Sequence, residues 1–426
     1  MAGKPEVLGD HVSLVRGTTY KGALLGKPGP VLLGLATIAP EGGFRSDNYK
    51  TYGGDSPEKL LLRPGELFVS LKDVTQAGSL LGAVARLPSY IQSGRLTQDT
   101  VKIVATNKNS RLDYIYWLLR SPQYRTYCKS MATGTTNLGL AREDFLSFPV
   151  PELTPERSAL CRLLDLIDDR VELNRRMIEP LESISRTLFK SWFIDFDPIQ
   201  AKIENRSTGL SNRLDSIFPD TMGSDGLPDG WTPTPLSKIG RFLNGLALQK
   251  FPPEDGKPSL PVIKIAELRS GPTKKSGRAS AEVPPDYVVE DGDHLFSWSG
   301  SLTHCRWTHG KGALNQHLFK VTPLDVPSWL TYQSVEHHLP EFQAIAAGKA
   351  VTMGHIQRHH LDEAIVALPP TKVLKVLDGV MGPLHKRALI ALLQIRTLTT
   401  LREALLPRLI AGDLHVRSTG NTAAAA

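Results

Sequence analysis

The sequence predicts an α+β chain of two β-rich domains, built as a pseudo-two-fold internal repeat and joined by two long helices that pair as an antiparallel coiled coil. Three observations carry this expectation. Short blocks recur in the same order in the two halves. Two stretches carry heptad seams of matched length and register. The remainder is short β-branched and aromatic runs punctuated by Gly, Pro and Asp.

The repeat comes first because it constrains everything else. Leu8-Gly9-Asp10 through Arg16-Gly17 is echoed by Leu236-Ser237-Lys238 through Asn244-Gly245. Residues 64–70 (PGELFVS) return as 291–297 (DGDHLFS). Gly134, Leu140 and Phe145 are matched more loosely by Gly348, Ile356 and Leu361, and each half leaves through prolines, Pro149 and Pro151 or Pro369 and Pro370. A shared order of weak matches is what a duplicated domain with loop insertions leaves behind.

After each proline exit comes a helical stretch. Leu160, Leu164, Ile167, Val171, Asn174, Ile178, Leu181, Ser185, Leu188 and Trp192 step by alternating fours and threes. Leu377, Met381, Leu384, Ala388, Ala391, Ile395, Leu398, Arg402, Leu405 and Leu409 keep the same rhythm. Such a seam keeps one helix face against a partner. The alternative is two helices packed on separate cores, but the small Ala388 and Ala391 at mid-seam favour mutual pairing. Pro180 predicts a kink near Glu179, while Pro383 sits early in the second helix, where a proline is better tolerated.

Strands are expected near residues 31–38, 66–70, 101–104, 261–265 and 317–321, with shorter helices over 113–131 and 327–347. Residues 199–229, polar and rich in turn formers, read as a linker. The boundaries that follow are a first β-rich domain over 1–155, a central helix over 156–198, the linker, a second β-rich domain over 230–371, a C-terminal helix over 372–414 and a disordered tail over 415–426.

A net charge of +7 favours a polyanionic partner. Three scattered cysteines, Cys128, Cys161 and Cys305, form no CxxC pair and read as reduced thiols, with the chain expected to be cytoplasmic. Catalytic signatures are missing. There is no Asn-Pro-Pro-aromatic tetrapeptide of an amino-methyltransferase and no Gly-rich turn for a methyl donor. Residues 22–28 (GALLGKP) fall one residue short of a phosphate loop and carry Pro28 where Ser or Thr must stand, so they read as a turn. Asp195 and Asp197 read as a helix cap and turn rather than a nuclease pair. No catalytic residue and no metal site is assigned. His304, Cys305 and His309 are the nearest approach to a metal set, and nine of the 12 histidines fall between His294 and His360.

These residues resemble a known family. Residues 166–177 (LIDDRVELNRRM) and 188–198 (LFKSWFIDFDP) are similar to the central conserved region of type I restriction–modification specificity subunits, and 401–414 (LREALLPRLIAGDL) to their C-terminal one. Residues 295–301 with 312–321, and 42–45 followed by 64–67, resemble recurrent blocks of their target recognition domains. The resemblance implies a non-catalytic subunit in which each recognition domain reads one half of an asymmetric bipartite site in double-stranded DNA. It further implies that the helix pair docks two methyltransferase subunits and that two restriction–translocase subunits can join. No cofactor is expected in this chain; S-adenosylmethionine, ATP and Mg²⁺ would be held by the partners. A DNA-modifying enzyme with divergent motifs and a coiled-coil scaffold are the alternative readings.

Base readout needs polar side chains on loops or helix ends. The candidates are Arg45, Ser46, Asn48, Tyr49, Lys50, Thr135, Thr136 and Asn137 in the first half. Those in the second half are Lys274, Lys275, Arg278, Arg306, Lys349, His355 and Arg358. Phe189, Trp192 and Phe193 are the candidates for partner docking.

Overall fold

The computed structural model describes residues 5–47, 49–135, 137–348 and 354–411. It divides into two compact units, Met1–Asp169 with Thr399–Ala426, and Arg170–Leu398. Each unit therefore contains one β-rich half and a stretch of both long helices.

In the first unit a four-stranded antiparallel sheet runs in the order Val12–Arg16, Thr100–Ala105, Leu67–Ser70, Val84–Arg86. A second sheet joins Val31–Leu33, Gly94–Leu96 and Leu61–Leu62. Short apolar runs become strands because alternate side chains face a core, here containing Leu14, Leu67, Val69, Val84 and Ile103. The expected strand over 31–38 stops at Leu33, and a 3₁₀ turn, Leu35–Thr37, follows Gly34. The expected single helix over 113–131 is two, Leu112–Leu118 and Pro122–Ser130. Pro122 lacks the amide needed to continue the first, and the Ser121 hydroxyl caps the second by accepting from Tyr124 N at 3.3 Å.

The second unit repeats the plan. Its antiparallel sheet runs Gly240–Asn244, Leu318–Pro323, His294–Ser297, His304–Arg306, and its second sheet adds an edge strand, Arg278–Ser280. The register is the same residue by residue. Arg16 faces Val101 as Asn244 faces Phe319, Leu67 faces Ile103 as His294 faces Val321, and Leu67 faces Arg86 as His294 faces Arg306. Two glycines explain why both copies turn alike after the first strand. A Cβ on Gly17 would lie 1.9 Å from the Thr97 carbonyl oxygen, and one on Gly245 would lie 2.2 Å from that of Asn315. Only hydrogen fits such an approach.

The long helices span Pro155–Phe193 and Thr371–Ala411. Leu160, Leu164, Ile167, Val171, Asn174, Ser185 and Trp192 are buried along the first seam, and Leu377, Met381, Ala388, Ala391 and Leu409 along the second. Within the first unit Arg157 donates to the carbonyls of Leu409 and Ile410, at 2.9 and 2.8 Å, while Asp168 pairs with Arg402. Within the second, Asn174 donates to Gln394, and Phe189, Trp192 and Phe193 pack with Leu374, Leu377 and Met381. In each unit the partner number falls as the first helix advances, the order of an antiparallel pair.

The first long helix continues through Pro180. The second long helix begins at Thr371, one residue before the expected start, with Pro383 in its interior. Residues 199–229 are a packed segment rather than a free linker: Ile199 and Phe218 are buried, and Lys202 Nζ donates to the carbonyls of Asp215 and Phe218. Burying two apolar anchors outweighs the polar character that suggested a linker. The expected tail, 415–426, lies outside the described residues.

Candidate nucleic-acid interface

In the first unit the loop after the Gly42–Gly43 pair presents Arg45, Tyr49 and Lys50 to solvent, with Ser46 half-buried. Arg45 Nε donates to Asp47 at 2.8 Å, which holds its guanidinium within the loop. Thr135 and Asn137 are exposed beside the short strand Leu138–Gly139. Asn48 and Thr136, named with them, lie outside the described residues. The two clusters belong to different loops.

In the second unit Lys274 and Lys275 are exposed in the turn after the helix Ile265–Ser270. Arg278 is exposed too, but its Nε and Nη2 donate to the Ser259 hydroxyl at 3.1 and 2.9 Å, tying it to the neighbouring strand. His355 is half-buried, its ring 6.3 Å from that of Trp298, and the exposed Arg358 places its guanidinium carbon 5.8 Å from the Phe319 ring centroid. Lys349 lies outside the described residues.

Arg306 is not a surface reader. It is 7% exposed, and its Nη1 donates to Glu182 at 3.0 Å while Nη2 bonds His385 Nδ1 at 3.0 Å. A guanidinium on a strand facing two helices finds acid and imidazole there, and desolvation makes it stay with them. Phe189, Trp192 and Phe193 are likewise corrected as docking residues. Each is at most 4% exposed, in a core with Trp231 and Trp329. Large aromatic surface at a helix end is best buried within the chain's own fold, where it removes the most apolar area from water.

Around Arg306 lie three of the histidines. His304 Nδ1 bonds Glu336 at 2.7 Å, and the rings of His294, His304, His385 and Tyr332 pack edge to face or tilted at 4.5–6.0 Å. Burial first, then the charges of Arg306 and His304, push His385 down to about 3. Burial first, then the neighbouring His304, His385 and Arg306, holds His294 well below its ordinary value. The first unit builds the corresponding place with permanent charges: Asp168 sits between Arg120 and Arg402. Burial would raise that carboxyl, but the two guanidinium groups outweigh it and keep it below the usual carboxylate range.

His304, Cys305 and His309 do not converge, because His304 and Cys305 are neighbours on one strand and face opposite ways, while His309 packs on Trp307. Among the described residues, His359, His360 and Glu363 are close enough to share an ion. However, His360 Nδ1 already accepts the Gln357 amide at 2.9 Å, which leaves the ring proton on Nε2 and no lone pair there for a metal. Residues 22–28 form a 3₁₀ turn, Gly22–Leu24, and Asp197 opens the helix Asp197–Ile203, as a turn and a helix start should.

The structure adds residues that the sequence reading missed. A cleft of about 430 Å³ in the first unit is rimmed by Arg16, Lys72, Gln98, Asp99 and Arg142. All but the half-buried Asp99 are exposed. Extending the repeat alignment past the strands would have found two of them, since Gln98 recurs as Gln316 and Arg142 as Arg358.

No family model matches the chain. It is 24% identical over 314 residues to the specificity subunit of the type I restriction enzyme MjaIX from Methanocaldococcus jannaschii, a match covering 71% of this chain and 69% of that protein. With the HindI specificity subunit from Haemophilus influenzae it shares 22% identity over 373 residues, covering 73% and 80%. Among solved structures, the type I restriction–modification S subunit from M. genitalium aligns over 95% of each chain with a TM-score of 0.58 at 15% identity, a likeness of fold. With its duplicated β-rich halves and long helices, the chain is a homologue of the type I restriction enzyme specificity subunits.

Proposed function

We propose that this chain is the DNA-specificity subunit of a type I restriction–modification complex and carries no catalysis itself. Each β-rich unit reads one half of an asymmetric, bipartite duplex target, and the long helices dock two methyltransferase subunits, to which restriction–translocase subunits can add. S-adenosylmethionine, ATP and Mg²⁺ belong to those partners.

The observation that carries this reading is two sheets of the same strand order and register bearing different exposed side chains. A duplicated scaffold with divergent surfaces suits two readers of different half-sites, as paired DNA-binding domains use half-site spacing. The net charge of +7 favours phosphate contact. In the first unit Arg45, Ser46, Tyr49, Lys50, Thr135 and Asn137, and in the second Lys274, Lys275, Arg278, His355 and Arg358, are the proposed DNA-facing side chains.

Methylome sequencing of cells expressing this chain with its methyltransferase tests the proposal. The expected result is one bipartite motif with a fixed gap. A contiguous motif, methylation by the chain alone, or no methylation by a complex that assembles would overturn it.

A further inference from the structure

The two sheets end in the same rim, and its positions can be matched by hydrogen bonding rather than by sequence. Leu140 N donates to Leu71 O at 2.9 Å, and Ile356 N donates to Trp298 O at 3.0 Å. Lys72 is bridged to Gly139 as Ser299 is to His355. With the strand registers, these contacts place Arg16 with Asn244, Lys72 with Ser299, Asp99 with His317, Gln98 with Gln316 and Arg142 with Arg358.

Two kinds of position emerge. Gln98 and Gln316 are identical, and so are Arg142 and Arg358, each arginine opening a short helix. The other three pairs change chemistry: guanidinium to amide, ammonium to hydroxyl, carboxylate to imidazole. The surroundings change with them. In the first unit Leu71 lines an open cleft. In the second, Trp298 stands in its place, donates to Asn244 Oδ1 at 2.9 Å and packs on His317, while Ser299 Oγ bonds His317 Nδ1 at 3.0 Å. That leaves the Asn244 amide hydrogens free of this bond and holds the imidazole in one orientation.

We infer that this rim is the specificity-determining edge of each unit for duplex DNA. Gln98, Gln316, Arg142 and Arg358 hold the sugar–phosphate backbone, and the divergent pairs Arg16/Asn244 and Asp99/His317, with Lys72 in the first unit, select bases; Ser299, only 3% exposed, serves to hold His317. The inference rests on the proposed DNA-reading function and deepens it. The chemistry follows the groove code: guanidinium and ammonium suit guanine, a carboxylate accepts from the cytosine amino group, and a carboxamide suits adenine. Contacts that must serve any sequence go to phosphate, so identical residues in two readers of different half-sites suit the backbone.

The test uses the full chain assembled with its methyltransferase subunits, with the methylated motif and DNA affinity as readouts. Asp99→His and the exposed-site variant Lys72→Ala should alter one half of the motif and leave the other intact, while His317→Asp alters only the other half. Arg142→Ala and Arg358→Ala should keep the motif, weaken binding to every sequence and reduce the salt slope by about 1 each. An unchanged motif for assembled, methylating Asp99→His, Lys72→Ala and His317→Asp overturns the assignment, as does a changed motif in Arg142→Ala. These results leave the proposed function standing, whereas the absence of a bipartite motif from the unmodified chain removes both.

Discussion

The Arg306 guanidinium carbon lies 4.1 Å from the Tyr332 ring centroid, and that of Arg86 lies 4.1 Å from the Tyr116 ring centroid. Arg86 and Arg306 hold the same strand position in the two sheets. Each also reaches an acid on the first long helix, Arg86 to Asp165 at 2.8 Å and Arg306 to Glu182 at 3.0 Å. A planar cation between an aromatic face and a carboxylate is a strong orienting contact. It fastens each sheet to the helical stretch of its own unit.

Removing one partner of a buried pair leaves the other charge uncompensated. Arg306→Leu should therefore lower the stability of the second unit by about 3 kcal/mol, read as a lower urea midpoint by tryptophan fluorescence. The methylated motif of the surviving complex should not change. A shifted motif at normal stability would restore Arg306 as a base reader.

The two units should respond differently to acid. His294 and His385 have depressed values in the folded chain. Below the unfolded value near 6.5 the unfolded chain binds protons that the fold refuses. Stability is thus full above about 6.5 and falls as pH drops, by up to about 1.4 kcal/mol per pH unit for each histidine. Asp168, held below the usual carboxylate range, gives stability that is full above that range and is lost only as pH falls through it toward the lower folded value. Hydrogen exchange at pH 5.5 against 7.5 should show strands His294–Ser297 and His304–Arg306 losing protection while Leu67–Ser70 keeps it. Equal loss in both units would contradict this.

Asn174 is fully buried in the helix seam, donates to Gln394 at 3.1 Å and has no partner for Oδ1 among the described residues. Asn174→Leu should stabilise the chain by roughly 1 kcal/mol, because a part-satisfied amide is replaced by apolar contact. Thermal unfolding checks the sign. A fall in melting temperature would mean that the amide pair contributes more than its desolvation costs.

Gly17→Ala and Gly245→Ala drive a methyl group into a carbonyl oxygen. Each should cost about 1–3 kcal/mol through forced backbone shifts, measured by urea denaturation. Gly65→Ala is a useful comparison: its added methyl meets open space, but its φ of 85° still imposes backbone strain. A cost at Gly17 no greater than at Gly65 would remove the close approach as the cause.

The heptad seams and the repeat were legible because each is written in a local period. A helix returns a face every 3.6 residues and a strand every second one, so Leu160 to Trp192 and the Pro64–Ser70 echo can be read without knowing the fold. Interruptions were harder. Pro122 divides a helix that its apolar residues suggested was single.

By itself, then, the sequence determined the duplication, the two long helices and the basic character of the chain. Only the tertiary structure decided which polar side chains are available. Arg306 and Glu182 stand 124 residues apart and Arg86 and Asp165 stand 79 apart, yet each pair is joined where a sheet meets a helix. The rim joins Arg16, Lys72, Gln98 and Arg142 from four separate segments. The physical reason is that burial and partnership are set by strand register and packing across the chain, whereas composition and spacing record only what each residue is able to do.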